Sequence, residues 1–369
     1  MARREVEFER KVLNLIKKVF IHKEVENTAI ANRVKNFFED KKIEIVDSDD
    51  VVINNKEAWN LYLKKYKGKF LRKCPGTKFY NCCGYLILHT GEGCPIGCVY
   101  CVLQAYFNDK TLKIWANQED LFYELEKIFS KDIRFRIGTG EFIDSLALEF
   151  LTSYHKDLLN FLNNFDNVCL EIKTKTCDLS WLDSAKRTDR VLPAWSVNAL
   201  KVQKKYEGIS CSVEDRLKSA SFCQSLGFRI CLHFDPILYF SGWENAYKEI
   251  IEMIGDYIDP KKVAYISLGS FRGMPSLFKI IEENYPDCDF IYKEFVQGLD
   301  GKLRLFRPIR IKQFRFILNQ LLKIGIKKEQ VYFCMESDEV WKAVFGYTPK
   351  DFGGLYSHLL NRAFDSASN

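Results

Sequence analysis

At 369 residues, with 47% apolar content, 28% charged residues and 29 Phe beside 18 Tyr, the chain has material for one large core with smaller additions, and its composition excludes disorder. No apolar run approaches the ~20 residues a membrane helix needs, and the opening MARREVEFERKVLNLIKK mixes charge with apolar positions where a secretory leader would be uniformly apolar, so a soluble cytoplasmic protein with no membrane partner is expected. The 13 cysteines are an odd number without a repeating spacing, which excludes a secreted disulfide framework and leaves the densest of them for metal binding or reactivity.

In chain order, residues 1–80 are expected to form an N-terminal helical, basic region, with KVLNLIKKVF and AIANRVKNFF as amphipathic helices. The net charge of +6 is unevenly spread. Between Glu57 and Glu92 there is no acid, while Lys64, Lys65, Lys67, Lys69, Arg72, Lys73 and Lys78 alternate with Tyr62, Tyr66, Phe70 and Phe79. A second acid-free run follows Asp300 and carries Lys302, Arg304, Arg307, Arg310, Lys312, Arg315, Lys323, Lys327 and Lys328. Basic stretches with interleaved aromatics suit a nucleic acid, through counterion release and base stacking; a solvated lysine-rich face fits them equally well.

Residues 81–290 repeat one pattern: a short β-rich apolar run, a polar or glycine-bearing loop, then an amphipathic segment. The runs are 85–89, 133–137, 168–172, 191–197, 228–234 and 262–268. A helix is expected from about Asp144, a second after the N-cap Ser212 that stops at Gly227, and a third burying Trp243, Tyr247, Ile250, Ile251 and Ile254. Alternating strands and helices predict a parallel sheet, and six units fit a partial (β/α)6 barrel of the α/β class better than a closed eight-unit one; a doubly wound sheet shares the pattern. Chemistry is expected where the strands end, and the residues there are unusual: the cysteine loop, GTGE (138–141), KTKT (173–176), SVN (196–198), DPI (235–237) and GSFR (269–272). Residues 291–369 form a C-terminal extension with a hairpin near Gly298–Gly301, a helix over 311–324, and loops at its close.

The stretch HTGEGCPIGCVYCVLQAYF places Cys94, Cys98 and Cys101 in a C-x3-C-x2-C spacing among glycines and a proline. A structural zinc site closes its tetrahedron with four protein ligands, which here would need Cys82 or Cys83, so a zinc-bearing nucleic-acid-binding module is one reading. Three thiolates suit a [4Fe-4S] cluster with one iron left open to chelate a cofactor.

At these residues the chain resembles the radical S-adenosylmethionine superfamily, with Tyr100 in the usual aromatic position before the last cysteine. CVYCVLQAYF, GTGEFIDSL, EIKTKT, WSVN, EDRLKSA, GFRICLHFDPI and ENYPD, in that order, resemble the spore photoproduct lyase family, which repairs a thymine-dimer lesion in DNA. The resemblance implies that Cys94, Cys98 and Cys101 ligate the cluster, and that Tyr100, Thr139, Gly140, Glu141, Lys175, Ser196, Asn198 and Asp235 surround S-adenosylmethionine. Glu141 would take its amino group, Lys175 would lie near its carboxylate, and Ser196 and Asn198 would contact its ribose or methionine part. It further implies a 5′-deoxyadenosyl radical, a DNA substrate, and a one-electron donor such as a flavodoxin or ferredoxin. Arg272, at the sixth strand end, is expected either to meet substrate phosphate or to form a salt bridge.

Two departures touch the part of the family pattern that handles the substrate radical. The family's hydrogen-donating cysteine precedes the Thr of the second strand-end motif, and that position is Gly138 here; the family tyrosine after the last cluster cysteine is Val102. Either another thiol serves, with Cys74, Cys82 and Cys83 the candidates, or the substrate is an RNA base, a peptide or a metabolite that needs no returned hydrogen.

Overall fold

The computed structural model describes residues 2–53, 58–77, 79–107 and 109–365. Lys78 of the first basic run lies outside them. All six expected strands are present, as Leu86–Leu88, Phe135–Thr139, Val168–Thr174, Val191–Ser196, Ile230–Ile237 and Val263–Ser270, paired in parallel with each sequence neighbour. The sheet gains a seventh parallel strand, Val331–Phe333, beside Val263–Ser270, and an antiparallel edge, Leu71–Lys73, beside Leu86–Leu88. Among the described residues no ladder joins these outer strands, so the barrel stays partial. Across the opening, Asn81 pairs with Glu336 through a backbone bond of 2.9 Å, and Thr77 reaches Asp300 at 2.6 Å.

Burial explains the runs. All eight residues of Val263–Ser270 are buried, the signature of a parallel strand covered on both faces. Ser212 caps the helix Val213–Ser225 by accepting from the Asp215 N–H at 3.2 Å, and Trp243–Tyr257 buries the five expected residues. The main hydrophobic core runs from Phe8 to Ala363, and Phe20, Val46, Val52 and Tyr62 form a small second cluster.

Three expectations are refined. The N-terminal region contains its two helices, Ala2–Leu15 and Ala29–Lys35, and in addition the strands Lys18–His22, Ile43–Val46 and Asn60–Lys64. These join Thr111–Trp115 in a parallel sheet, with Gly91–Glu92 as an antiparallel edge. VFIH continues the apolar periodicity of the helix before it, which hides a strand inside a helix-like pattern. The helix expected from Asp144 begins at Glu149, because the Asp144 carboxylate instead accepts from Leu146 N–H, the Thr174 hydroxyl and Lys175 N–H, at 3.0, 2.7 and 2.7 Å. The chain's close is not loop: Asp338–Phe345 and Leu355–Phe364 are helices. The hairpin is present as Phe295–Gln297 with Leu303–Leu305, and the extension's long helix spans Arg307–Lys323.

Candidate active site

The cysteine loop leaves the edge strand Gly91–Glu92 and docks on the segment after the fourth barrel strand. Val99 N–H donates to Tyr206 O at 2.9 Å, Ile209 N–H donates to Ile96 O at 3.1 Å, and Cys98 bridges Glu207. The approach needs Gly208, whose φ is +31° and on which a Cβ would stand 1.9 Å from Ile96 O. From inside the loop, the Gln104 amide donates to Cys98 O at 3.1 Å and to Val99 O at 2.7 Å.

Cys94, Cys98 and Cys101 all open onto a cavity of about 330 Å³ at the strand ends. Burial pushes all three thiols up, so as ligands they would have to surrender their protons to a metal. Among the described residues no three His, Cys, Asp or Glu side chains converge on one ion position. Thiolates serving separate irons of a cluster need not converge on a point. The soft donor set and the loop's backbone therefore fit a cluster held by three cysteines.

The strands aim every second residue at the same space, as pleating dictates. Arg136 and Gly140, then Glu171, Lys173 and Lys175, then Ser196, then His233 and Asp235 line the cavity. Glu141 lines it too, with Lys173 Nζ 3.5 Å from its carboxylate. Lys175 lies 3.4 Å from Glu207 and 5.8 Å from the Tyr100 ring centre. Glu207 is the hub beneath the loop: it accepts from the Tyr100 hydroxyl and, at 2.6 Å, from Arg216, which also donates to Ser196 O and Cys211 O, each at 2.8 Å. Burial alone would raise the Glu207 carboxyl, but Arg216 and then Lys175 more than offset it and hold it at about 2.

Of the residues expected around the cofactor, Tyr100, Gly140, Glu141, Lys175, Ser196 and Asp235 line the cavity. Thr139 and Asn198 do not, because their side chains are engaged elsewhere. Thr139 is fully buried with its hydroxyl 2.7 Å from Ser145 Oγ and 3.0 Å from His155 Nε2. Asn198 donates to Pro236 O at 2.8 Å and accepts from Tyr247 at 2.7 Å and Ala199 N–H at 3.0 Å, clamping the fourth strand end to the fifth. Asp235 pairs with Arg272 at 3.3 Å. The three candidate thiols divide: Cys74 and Cys83 line the cavity, whereas Cys82 does not and is engaged with Cys74, Cys83 and the Gly84 N–H. Cys334, which sequence reasoning missed, also lines the cavity and takes a contact from Arg272 at 3.6 Å.

The floor is a buried ion network that was equally missed. Glu171 meets His233 Nε2 at 2.9 Å, Arg136 at 3.9 Å and the Tyr265 hydroxyl. Its signal was a charged residue at an inward position of an otherwise apolar strand, in CLEIKT, RFRIGT and CLHFDP. Burial raises the Glu171 carboxyl, and His233 and Arg136 reverse this to about 2, below its ordinary 4.5. A depressed carboxylate contributes stability that is complete above the unfolded value and lost as pH falls through the folded one. Thermal denaturation should therefore show this group lowering Tm by roughly 3 °C between pH 4.5 and about 2.5. Glu171→Gln should flatten that slope.

Several members of the basic runs are paired within the chain. Lys64 is tied to Asp49, Lys65 to Asp120 and Lys67 to Glu24. Arg304 is 2% exposed, bound to Asp300 at 2.7 Å and stacked 3.9 Å over Tyr80; Arg310 is buried against Glu336. Lys302 and Arg272 are the basic residues of the C-terminal half that reach the cavity, and beside them the hairpin exposes Val296 and Leu299, with Phe79 and Phe306 also exposed. Among the described residues no helix is long and apolar enough to cross a membrane.

A family model described as spore photoproduct lyase matches residues 17–296. Curated proteins named spore photoproduct lyase are similar at low identity: that of Geobacillus sp. is 24% identical over 220 residues, 57% of this chain and 64% of its own length. That of Bacillus subtilis is 25% identical over 202 residues, 53% and 58% respectively, and that of Clostridium acetobutylicum is 24% identical over 178 residues, 47% and 53%. The alignments thus span between half and two thirds of these relatives. In three dimensions, a spore photoproduct lyase cysteine-to-alanine variant solved with dinucleoside spore photoproduct superposes with a TM-score of 0.72 at 17% identity, over 86% of this chain and 98% of that one. A double variant with bound S-adenosylmethionine and the same dinucleoside superposes at 0.71 and 17%, over 87% and 99%. These matches carry the fold.

Proposed function

The chain belongs to the spore photoproduct lyase family, and from that premise we propose that it is a radical S-adenosylmethionine enzyme acting on a photolesion in DNA. The observation that carries the reading is that three loop thiols, a strand-end carboxylate and a strand-end lysine share one cavity whose far side offers Arg272 and Lys302. Cys94, Cys98 and Cys101 would hold three irons of a [4Fe-4S] cluster, leaving the fourth for the amino and carboxylate groups of S-adenosylmethionine. When bound, this pair supplies a 5′-deoxyadenosyl radical.

The chain's own residues do the rest. Glu141 is placed to accept from an ammonium and Lys175 to face a carboxylate, each a charge-assisted contact that orients the cofactor. Ser196, Tyr100 and Asp235 complete that wall. Tyr100 and Lys175, anchored on Glu207, keep the loop against the barrel and exclude water from the reacting space. Arg272 and Lys302 meet phosphate at the entrance, and the exposed Val296, Leu299 and Phe79 offer apolar surface to unstacked bases. A low-potential flavodoxin or ferredoxin would supply electrons.

The test supplies anaerobically reconstituted protein with dithionite, S-adenosylmethionine and UV-irradiated DNA. Formation of 5′-deoxyadenosine together with lesion loss is expected. Cofactor cleavage with unchanged DNA would remove the repair reading and favour the second one, an RNA base, peptide or metabolite as substrate. Gly138 in place of the donor cysteine supports that second reading.

A further inference from the structure

Gly138 lies on the cavity-facing side of its strand, between the lining residues Arg136 and Gly140, and pairs with Ile87 on one flank and Glu171 on the other. The space beside it is filled. A Cβ built on Gly138 would stand 2.1 Å from Cε2 of the Tyr85 ring and 2.9 Å from its hydroxyl oxygen. The ring can take this position only because residue 138 has no side chain. Tyr85 is 6% exposed, lines the cavity and lies 5.5 Å from the Arg136 guanidinium carbon.

Among the described residues its hydroxyl is a buried polar group without a hydrogen-bond partner. Burying an unpaired phenolic O–H is unfavourable, so a tyrosine held there by packing alone would do better as phenylalanine. The Cys83 thiol lines the same cavity, but its sulfur is paired with Cys82. The phenol is thus a hydrogen donor of the cavity wall that gives its own hydrogen to no acceptor among the described residues.

We propose that Tyr85 is the catalytic residue that returns a hydrogen atom to the substrate-derived radical. This rests on the radical reading given above. The phenolic O–H bond breaks homolytically and a C–H bond forms on the substrate carbon, leaving a neutral tyrosyl radical. One electron from the low-potential donor and one proton from solvent then restore the phenol. A glycine and a neighbouring tyrosine would together replace a single thiol.

The test uses reconstituted full-length protein with dithionite, S-adenosylmethionine and dinucleoside spore photoproduct, freeze-quenched for electron paramagnetic resonance while 5′-deoxyadenosine is assayed in parallel. An organic radical whose spectrum narrows when the protein carries ring-deuterated tyrosine is expected. It should persist in Cys83→Ala and fall at least tenfold in Tyr85→Phe. Loss of an unpartnered hydroxyl should leave the Tm of Tyr85→Phe at or above that of the parent, which separates the role from a structural one. On the metal-free protein, Gly138→Ala should lower Tm, and should lower it less in a Tyr85→Leu background, reading the packing without turnover. If 5′-deoxyadenosine accumulates with no tyrosine-derived signal, or with one that survives in Tyr85→Phe, Tyr85 is not the donor. If the parent makes no 5′-deoxyadenosine at all, the radical reading fails and takes this inference with it.

Discussion

Cys98→Ala should reduce the iron content of anaerobically reconstituted protein from about four per chain to a small fraction of that, and bring 5′-deoxyadenosine formation to background. Cys98 is the middle thiol of the triplet and opens on the cavity. Two remaining sulfurs cannot hold a cube that needs three protein ligands. The substitution should spare the fold, because the loop is held through backbone groups: the Cys98 carbonyl accepts from Gln104, and the neighbouring Val99 N–H donates to Tyr206 O. Cys223→Ala serves as the control, since that thiol is buried within the helix Val213–Ser225 and away from the cavity. It should keep its iron and its colour. Unchanged iron in Cys98→Ala, or one zinc per chain in the parent, would overturn the cluster reading.

The barrel was legible because its strands are buried on both faces, so each reads as an apolar run closed by a polar strand end. The cysteine loop was legible because three thiols at that spacing have few physical uses. What escaped was whatever depends on pairing across distance. Glu207 and Arg216 sit in YEGIS and EDR as ordinary surface-like charges, and only the fold brings them into one buried pair with Tyr100 and Lys175. Thr139 and Asn198 carried polar side chains at strand ends like their neighbours, and nothing in the sequence says that His155 and Tyr247 would claim them. The reverse error befell the basic runs, where Arg304 and Arg310 looked available until Asp300 and Glu336 were seen beside them. The N-terminal sheet stayed hidden because a five-residue strand such as Lys18–His22 is too short to break a helical periodicity.

Arg216→Met should destabilise the protein by about 3–5 kcal/mol, the range for removing one partner of a buried ion pair. Arg216 and Glu207 are both fully buried, 2.6 Å apart, so the lost attraction is not replaced by water. The same guanidinium satisfies Ser196 O and Cys211 O, which lose a donor together. Among the described residues, Lys175, 3.4 Å from Glu207, would remain as the cation at that distance, drawn toward the stranded carboxylate and away from the cavity. The Glu207 carboxyl should then rise from about 2 toward its ordinary range. Because that depressed carboxyl contributes stability lost only at low pH, the acid-unfolding midpoint of Arg216→Met should move to higher pH. S-adenosylmethionine binding should weaken as well, through Lys175 and through the Ser196 backbone. The double variant Glu207→Gln with Arg216→Met should lose less than the sum of the single losses, since it leaves no uncompensated charge behind. Additive losses, measured by chemical denaturation, would mean that the two residues act separately and that the hub beneath the cysteine loop is not one unit.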